Sequence, residues 1–314
     1  MKTERLRSGK DMGRQMEGAD IMFGEPMAGH TSLRIGGRAE IFARPPDAEA
    51  LLRLLDYASG MPVFLIGGGT NVLFADGDIK ALVISTEQMR GIEVFFEDER
   101  EGGAVVSAAA GEPLKRVLAF CAQNGLSGLE PLAGIPGSIG GAVAGNAGAH
   151  GLQAGDIVRS ALTVDFPPSG GGPAKVKRVS RESLGFKYRG SSVCGAVTSV
   201  ELALRRGDAR QIKELMDRNF GMKKKTQPLA ARSAGCVFKN PEGNAAGRLI
   251  DEAGLKGARV GGIEVSMVHA NFFINTGNGT AADFTALMEK VRNEVFRRSG
   301  VSLEPEIRML GETK

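Results

Sequence analysis

Two glycine-rich segments hold the residues of this chain that are best suited to binding chemistry. The longer segment runs from Gly134 to Gly151, and seven of its eighteen residues are glycine. Glycine weakens a helix or strand by roughly 0.5–1 kcal/mol per interior position, so this density excludes an ordinary regular element. Backbone without Cβ atoms lets a ligand approach closely, and converging free amides bind phosphate. The segment therefore predicts a loop whose backbone is suited to the close approach of a phosphate group.

A second loop of the same kind is Gly67–Asn71, with the sequence GGGTN, and it directly follows the apolar run Val63–Ile66. Either loop alone is more often a plain turn. Two such loops, each beside an apolar run typical of a strand, favour a cofactor with a diphosphate group. Small residues of the longer loop, such as Ala142, fit a flat ring that lies against the chain.

The composition limits the class of protein. A chain of 314 residues with 42% hydrophobic and 24% charged residues is typical of a soluble globular protein of about two domains. Without tryptophan and with only two tyrosines, the chain has few side chains for base stacking, and a net charge of +4 is too small to indicate nucleic-acid binding. The three cysteines form no CxxC pair, so we expect neither disulfides nor a metal site.

Targeting signals are not visible in the sequence. Met1–Gly24 is charged and lacks the apolar core of a secretory signal, and no apolar run approaches the ~20 residues needed to cross a bilayer. We therefore expect a soluble, cytoplasmic protein without a membrane partner. Residues 1–25 have no hydrophobic pattern and are predicted to be a polar, mobile extension.

Hydrophobic periodicity predicts the elements that must hold the two loops. Apolar residues at helical spacing predict helices over 47–58, 113–124, 209–222 and 281–298. Apolar runs predict strands over 63–66, 83–85, 105–109, 197–204 and 306–310, and a hairpin of 161–166 with 175–179 around the glycine- and proline-rich tip 167–173. A change of pattern near Gly207 predicts a boundary between one domain over 26–206 and a second over 207–314.

Three further segments contain side chains capable of acid–base or electrostatic chemistry. They are Phe186–Ser191 with adjacent tyrosine and arginine, Cys236–Pro241 with a thiol, and Leu303–Arg308 with Glu306. Taken singly, each is more often a surface or packing segment. Together with the glycine-rich loops, and with HTSLRIGG at His30–Gly37, LIDEAGLKG at Leu249–Gly257 and HANFFIN at His269–Asn275, they give the chain a specific pattern. From about His30 to Gly311 the chain resembles the UDP-N-acetylenolpyruvoylglucosamine reductase family, flavoenzymes of bacterial cell-wall precursor synthesis.

The resemblance implies an α+β fold, in which an FAD-binding domain of the vanillyl-alcohol-oxidase type, built from two α+β subdomains, precedes an α+β substrate-binding domain. It also implies non-covalent FAD, with NADPH as co-substrate, and reduction of UDP-N-acetylglucosamine enolpyruvate to UDP-N-acetylmuramate. No separate NADPH fingerprint is present, in keeping with a family in which NADPH and the UDP-sugar use one flavin in turn. The residues implied to hold FAD are Gly67, Gly68, Gly69, Thr70, Asn71, Gly134, Ile135, Pro136, Gly137, Ser138, Ala142, Asn146 and Gly148.

The resemblance also implies three catalytic residues. Arg189 would stabilise the enolate that forms on the substrate, and Glu306 would face the same charge with a raised pKa. Cys236 would donate the final proton at a position where the family usually has serine. Because a free thiol has a pKa of about 8.5, the cysteine is a plausible acid, and we expect it to react with alkylating agents. Only 46 residues separate Arg189 from Cys236, which indicates a subclass without an extra loop over the sugar nucleotide.

Substrate contacts and alternatives complete the predictions. The candidates for binding the substrate are Tyr188, Lys239 and Asn240. The run Lys223–Lys225 either attracts the diphosphate of the substrate or is a solvated helix end. One alternative is an oxidase with covalently attached FAD, linked through His150 or Cys236. Another is a non-catalytic nucleotide-binding module, which would leave the joint presence of Arg189, Cys236 and Glu306 unexplained.

Overall fold

A four-stranded sheet begins the described part of the chain, which covers residues 18–58, 60–96, 103–166 and 174–311 of the computed structural model. Helix α1 packs on this sheet with Leu51 and Leu54 fully buried, and its first turn is capped by Asp47, whose Oδ1 accepts a hydrogen bond from Ala50 N at 2.8 Å. The sheet order is β1-β2-β5-β3, with β1 antiparallel and the other pairs parallel. The elements are β1 (Asp20–Pro26), β2 (Arg38–Arg44), α1 (Ala48–Tyr57), β3 (Val63–Ile66), β4 (Val72–Phe74) and β5 (Asp78–Ser85).

Strand β1 corrects the expectation of a patternless extension over residues 1–25. Its residues Asp20–Pro26 pair with β2, and Arg44 Nη2 forms an ion pair with Asp20 Oδ2 at 2.9 Å. An edge strand with one face turned to water needs no continuous hydrophobic pattern, so no pattern in residues 20–26 predicts it. Residues 1–17 lie outside the described residues.

The second unit is built on a six-stranded antiparallel sheet with the order β12-β11-β13-β7-β6, and β8 also pairs with β13. The predicted hairpin is confirmed as β11 paired with β12, whereas its tip, 167–173, falls outside the described residues. Helices α2 and α3 bury Leu114, Val117 and Ile139 in the core of this unit. Its elements are β6 (Ile92–Phe96), β7 (Gly103–Ala109), α2 (Leu114–Gln123), β8 (Leu126–Ser127), α3 (Ile139–Ala144), β9 (Gly148–Ala149), β10 (Leu152–Gln153), α4 (Ala154–Ile157), β11 (Val158–Val164), β12 (Val176–Ser180) and β13 (Ala196–Arg206).

The C-terminal unit is closely joined to the first. Leu33, Ile35 and Leu73 of the first unit lie in the same hydrophobic core as the C-terminal residues, and Asp76 accepts hydrogen bonds from Ala281 N and Ala282 N at the start of α7. Strand β17 pairs in parallel with β4, and it begins only at Arg308, so the strand predicted from 306 is shorter. The elements are α5 (Ala209–Thr226), α6 (Ala246–Glu252), β14 (Arg259–Val260), β15 (Ile263–Val265), β16 (Phe273–Asn275), α7 (Ala281–Ser299) and β17 (Arg308–Leu310).

Helix α5 connects the second and third units and packs against the second. Its residue Asn219 is buried and donates from Nδ2 to the backbone oxygen of Glu130 at 3.0 Å. The segments that carry the predicted site therefore come from different units that pack together. They are both glycine-rich loops, the turn around Arg189 and the segments around Cys236 and Glu306. Among the described residues, no helix is both long and apolar enough to span a membrane.

Candidate active site

The GGGTN loop leaves β3 with unpaired backbone donors. In the part of the chain that the structure describes, the amides of Gly68, Gly69 and Thr70 have no hydrogen-bond acceptor. Gly69 is buried and has a φ of 62°, and a Cβ atom there would lie 1.9 Å from the backbone oxygen of His30. Because buried amides are almost always paired in a folded protein, the free amide of Gly69, flanked by those of the exposed Gly68 and the half-buried Thr70, fits an anionic ligand such as a diphosphate.

The two glycine-rich loops are in direct contact. A Cβ atom on Gly67 would lie 2.3 Å from Ser138 Oγ, and one on Gly68 would lie 2.9 Å from Gly137 Cα. Ser138 is buried and caps the short helix α3 by accepting a hydrogen bond from Gly141 N at 3.2 Å. Only glycine allows this approach, so the loops form a single surface, as the sequence analysis expected of a cofactor cradle.

A cavity of about 230 Å³ opens beside this surface. Gly67 and Gly68 form one wall, and the others come from the HTSLRIGG segment and from the end of β5. Its lining residues are Gly29, His30, Thr31, Ser32, Arg34, Ile66, Gly67, Gly68, Ser85 and Glu87. The cavity and the free amides together fit part of a dinucleotide with its diphosphate on the GGGTN loop.

Two asparagines predicted to bind the cofactor make hydrogen bonds within the protein. Asn146 is buried. Its Nδ2 donates hydrogen bonds to Gln153 Oε1 and to the backbone oxygen of Lys187 at 2.9 Å, and its Oδ1 accepts one from Gly155 N. These bonds use both amide hydrogens and the oxygen, so Asn146 ties the long loop to the Arg189 turn. Asn71 Nδ2 donates to the backbone oxygen of Glu306 at 3.2 Å, which fixes that residue beside the GGGTN loop.

Arg189 lies in a tight turn closed by two hydrogen bonds between Lys187 and Gly190. Its φ is 55°, a conformation that non-glycine residues rarely adopt and that tends to occur at functional sites. The guanidinium lies over Gly148, because a Cβ there would come within 3.3 Å of one terminal nitrogen. Its buried Nε makes no well-aligned hydrogen bond among the described residues, and a carboxylate oxygen of Glu306 lies beside it.

Glu306 is held opposite Arg189. Its Oε1 lies 3.1 Å from Arg189 Nε, at an angle that makes an ion pair but no hydrogen bond. Its backbone N donates to Val237 O at 2.7 Å, which joins the Glu306 segment to the residue that follows Cys236. Burial raises the pKa of Glu306, and the charges of Arg189 and Lys239 oppose that rise. The direction is the one that the resemblance implies.

Cys236 lies between these groups. Burial raises its pKa to about 12, the charge of Glu306 adds to the rise, and Arg189, Lys223 and a hydrogen bond with Asn271 oppose it. Asn271 is 1% exposed, and it also accepts a hydrogen bond from Phe238 N and donates to Phe238 O. A thiol with a raised pKa is mostly protonated near neutral pH, so we predict that Cys236 reacts slowly with alkylating agents.

Lys223 is the residue at this site that the sequence did not single out. It is 9% exposed, whereas Lys224 and Lys225 point to solvent. Its side chain lies over Gly134, and the groups whose charges affect its pKa are Cys236 and Arg189. Three consecutive lysines have no feature that distinguishes the inward one, and only the helical phase of α5 against the long loop identifies it.

The predicted substrate residues lie together on one side of the site. Tyr188 is 48% exposed, its ring centroid is 5.2 Å from the guanidinium carbon of Arg189, and its hydroxyl accepts a hydrogen bond from Asn240 N at 3.4 Å. Asn240 Oδ1 accepts from Ala246 N at the start of α6. Lys239 is ion-paired with Glu304, so a substrate anion would compete with that carboxylate.

His150, one candidate for a covalent flavin link, occupies the exposed turn between β9 and β10. Its φ is 51°, like the positive values of Arg34, Asn146 and Arg189. All four of these residues lie in segments that the sequence analysis selected, so backbone strain is concentrated around the site.

Family models match two parts of the chain. The model for an FAD binding domain matches residues 39–170, and the model for the C-terminal domain of UDP-N-acetylenolpyruvoylglucosamine reductase matches residues 227–310. These matches and the observed helices and strands confirm the predicted α+β fold with an FAD-binding domain.

Whole-length relatives point the same way. A UDP-N-acetylenolpyruvoylglucosamine reductase of Geobacter sulfurreducens is 42% identical over 93% of this chain and 95% of its own length. The reductase of Streptococcus pneumoniae is 39% identical over 95% of this chain and 97% of its own length. The crystal structure of the Thermus caldophilus enzyme superimposes with a TM-score of 0.75 at 32% identity, and the match covers 93% of this chain and 98% of that one.

Proposed function

The chain belongs to the UDP-N-acetylenolpyruvoylglucosamine reductase family, and we propose that it uses FAD and NADPH to reduce UDP-N-acetylglucosamine enolpyruvate to UDP-N-acetylmuramate. This reaction supplies a precursor of peptidoglycan. The observation that supports the proposal most directly is the meeting of Arg189, Cys236 and Glu306 from three distant segments beside the glycine-rich surface.

FAD fits the site because free amides, close-packed glycines and a cavity occur together. When bound, it would carry hydride from NADPH to the enolpyruvyl group. We propose that Gly67, Gly68, Gly69 and Thr70 hold its diphosphate and that Asn71 and Asn146 shape the two loops. The residues proposed to line the flavin are Gly134, Ile135, Pro136, Gly137, Ser138, Ala142 and Gly148.

Arg189 is suited to stabilise the enolate of the substrate. Its buried Nε lies 3.1 Å from Glu306 Oε1 but makes no well-aligned hydrogen bond among the described residues. A donor that is already desolvated and held in place needs little reorganisation when negative charge develops. The cation–π contact with Tyr188 helps to hold this orientation.

Glu306 faces the same charge and therefore works best as a neutral group. Burial favours its protonated form, in which the carboxyl can donate a hydrogen bond to an enolate oxygen. Cys236 then supplies the proton to the substrate carbon. Its high pKa keeps the thiol protonated until that step, and Asn271 holds it in place.

The remaining residues act on the substrate and on its surroundings. We propose that Tyr188, Lys239 and Asn240 bind the UDP-sugar, with Lys239 exchanging Glu304 for a substrate anion. We also propose that the enzyme works in the cytoplasm on small molecules alone, without nucleic-acid or membrane partners.

The test is a steady-state assay on the purified protein. NADPH oxidation should depend on UDP-N-acetylglucosamine enolpyruvate, and mass spectrometry should find a product heavier by two hydrogens. NADPH consumption that is indifferent to the substrate would contradict the proposal. Acid precipitation separates the covalent alternative, since the yellow colour should stay in the supernatant if FAD is not linked to His150 or Cys236.

A further inference from the structure

Ser32 joins the GGGTN loop to the segment that leads to Cys236. Its backbone N donates a hydrogen bond to Gly69 O at 3.0 Å, and its Oγ donates one to Ser233 O at 2.7 Å. Gly69 O also lies 3.3 Å from the same Oγ, but the shorter contact with Ser233 O is the better hydrogen bond. One residue therefore uses two donors to hold two segments that are far apart in the chain.

The turn that carries Ser32 is itself firmly held. Thr31 is 3% exposed, and its Oγ1 donates a hydrogen bond to Ile35 O at 3.0 Å. On the other side, Leu33 is fully buried, and its backbone oxygen accepts a hydrogen bond from Nδ2 of the buried Asn275 at 2.8 Å. Because both neighbours of Ser32 are fixed, the turn is a rigid connection between the two segments.

The hydrogen bond to Gly69 lies on the same peptide group as a free ligand-binding amide. That peptide group consists of the carbonyl of Gly69 and the N–H of Thr70, which has no acceptor among the described residues. An anion that accepts a hydrogen bond from this N–H increases the negative charge on the carbonyl oxygen, and linked hydrogen bonds strengthen one another in this way. A phosphate bound at the loop would therefore tighten the hydrogen bond between Gly69 O and Ser32 N.

The hydrogen bond to Ser233 fixes the chain just before the thiol. Two residues separate Ser233 from Cys236, and one of them is Gly235. Gly235 has a φ of 77°, and a Cβ atom there would have no described atom within 4 Å, so packing does little to hold its backbone. On the far side of the thiol, Val237 N donates to Asn271 O at 2.8 Å. These two hydrogen bonds anchor the backbone before and after the thiol.

We propose that Ser32 is a positioning residue that couples the diphosphate of the cofactor, on the GGGTN loop, to the placement of the Cys236 thiol. This inference rests on the proposed function. In the flavin-loaded protein the loop holds Ser32, Ser32 holds Ser233, and the thiol stays where its proton can reach the substrate carbon. Without the hydroxyl of Ser32, the free amides of the loop remain, but the segment that ends in Cys236 loses its upstream anchor.

The first experiment measures alkylation of Cys236 by iodoacetamide, with and without saturating FAD, by peptide mass spectrometry. FAD should slow the labelling of the wild type, both by covering the thiol and by fixing its segment. Ser32→Ala changes only the second effect, so with FAD bound it should be labelled about twofold to tenfold faster than the wild type, the factor for one net hydrogen bond. Without FAD the two proteins should differ less. Ser32→Thr keeps a hydroxyl and should restore slow labelling.

Ser299→Ala is the matched control. Ser299 Oγ donates to Val295 O at 2.8 Å within α7, so this variant loses the same kind of hydrogen bond from a single helix. It should leave the labelling of Cys236 unchanged. The exposed Cys194 is the internal reference and should react equally in every variant.

The second readout separates positioning of the thiol from a general loosening of the protein. NADPH should bleach Ser32→Ala at the wild-type rate, whereas recovery of flavin colour at saturating UDP-sugar should slow by about twofold to tenfold, with an unchanged KM for the UDP-sugar. Equal labelling of the flavin-loaded wild type and Ser32→Ala would overturn the proposal, as would equal changes in Ser32→Ala and Ser299→Ala. Because labelling needs neither NADPH nor the UDP-sugar, it tests the coupling even if the proposed reaction is wrong.

Discussion

Replacing Arg189 with alanine should separate the two halves of the reaction. The guanidinium contributes a buried Nε–H, which is ion-paired with Glu306 but makes no well-aligned hydrogen bond, at the place where enolate charge would develop. Loss of one such preorganised donor raises a barrier by about 3–4 kcal/mol, which is a factor of roughly 10² to 10³ in rate. The loss should not be compounded by Glu306, because removing Arg189 takes away a charge that lowers the pKa of Glu306 and so favours its neutral form.

The assay is anaerobic stopped-flow absorbance of the flavin. With Arg189→Ala, bleaching by NADPH should proceed at close to the wild-type rate, while recovery of colour on adding the enolpyruvyl substrate should slow by the factor given above. Lys187→Ala is the control, since it removes one exposed positive charge from the same turn. If both half-reactions slow equally, Arg189 acts through folding or flavin placement, and the electrostatic reasoning is refuted.

Three further predictions concern single residues. Glu306→Gln should keep more activity than Glu306→Ala. Since the raised pKa of Glu306 keeps the wild-type carboxyl neutral at low pH, the recovery of flavin colour in the wild type should become slower as pH rises through that pKa. In a pH–rate profile, Glu306→Gln should lose this dependence. Cys236→Ser should turn over, while Cys236→Ala should fail in the substrate step of the stopped-flow assay. Near neutral pH an alkylating agent should label the exposed Cys194 well before Cys236. Turnover by Cys236→Ala at the wild-type rate would rule out the thiol as the acid. Gly69→Ala should lower the melting temperature and the flavin content, because its Cβ would lie 1.9 Å from His30 O. Gly24→Ala is the control: its φ is similar but no atom lies within 4 Å of the added Cβ, so it should cause only the backbone strain of a positive φ, about 1–2 kcal/mol. Equal losses of stability and flavin in the two variants would show that the close approach at Gly69 is unimportant.

Local signals in the sequence identify much of this fold. The 3.6-residue period of α1 and α7, the turn composition between β11 and β12, and the glycine density of the two loops each have a direct physical cause that acts within a few residues. The observed helices Ala48–Tyr57 and Ala281–Ser299 lie within one or two residues of the predicted bounds. Strand β1 had no such signal, because an exposed edge strand places few demands on its side chains.

Side-chain roles within the site depend on contacts that only the fold provides. Asn71 and Asn146 stand in glycine-rich loops, where an amide is as suitable for a ligand as for the protein itself, and only the fold shows that both have partners within the protein. Lys223 is indistinguishable in type from its two neighbours. The pKa of Cys236 depends on burial and on Glu306, which is distant in the chain.

The central claim is that one flavin site passes hydride from NADPH to the enolpyruvyl group. The most direct measurement is an anaerobic single turnover, in which the yellow protein is first bleached with one equivalent of NADPH. One equivalent of UDP-N-acetylglucosamine enolpyruvate should then restore the full colour and appear as UDP-N-acetylmuramate. A flavin that NADPH does not bleach, or one that stays bleached after the UDP-sugar is added, would contradict the account.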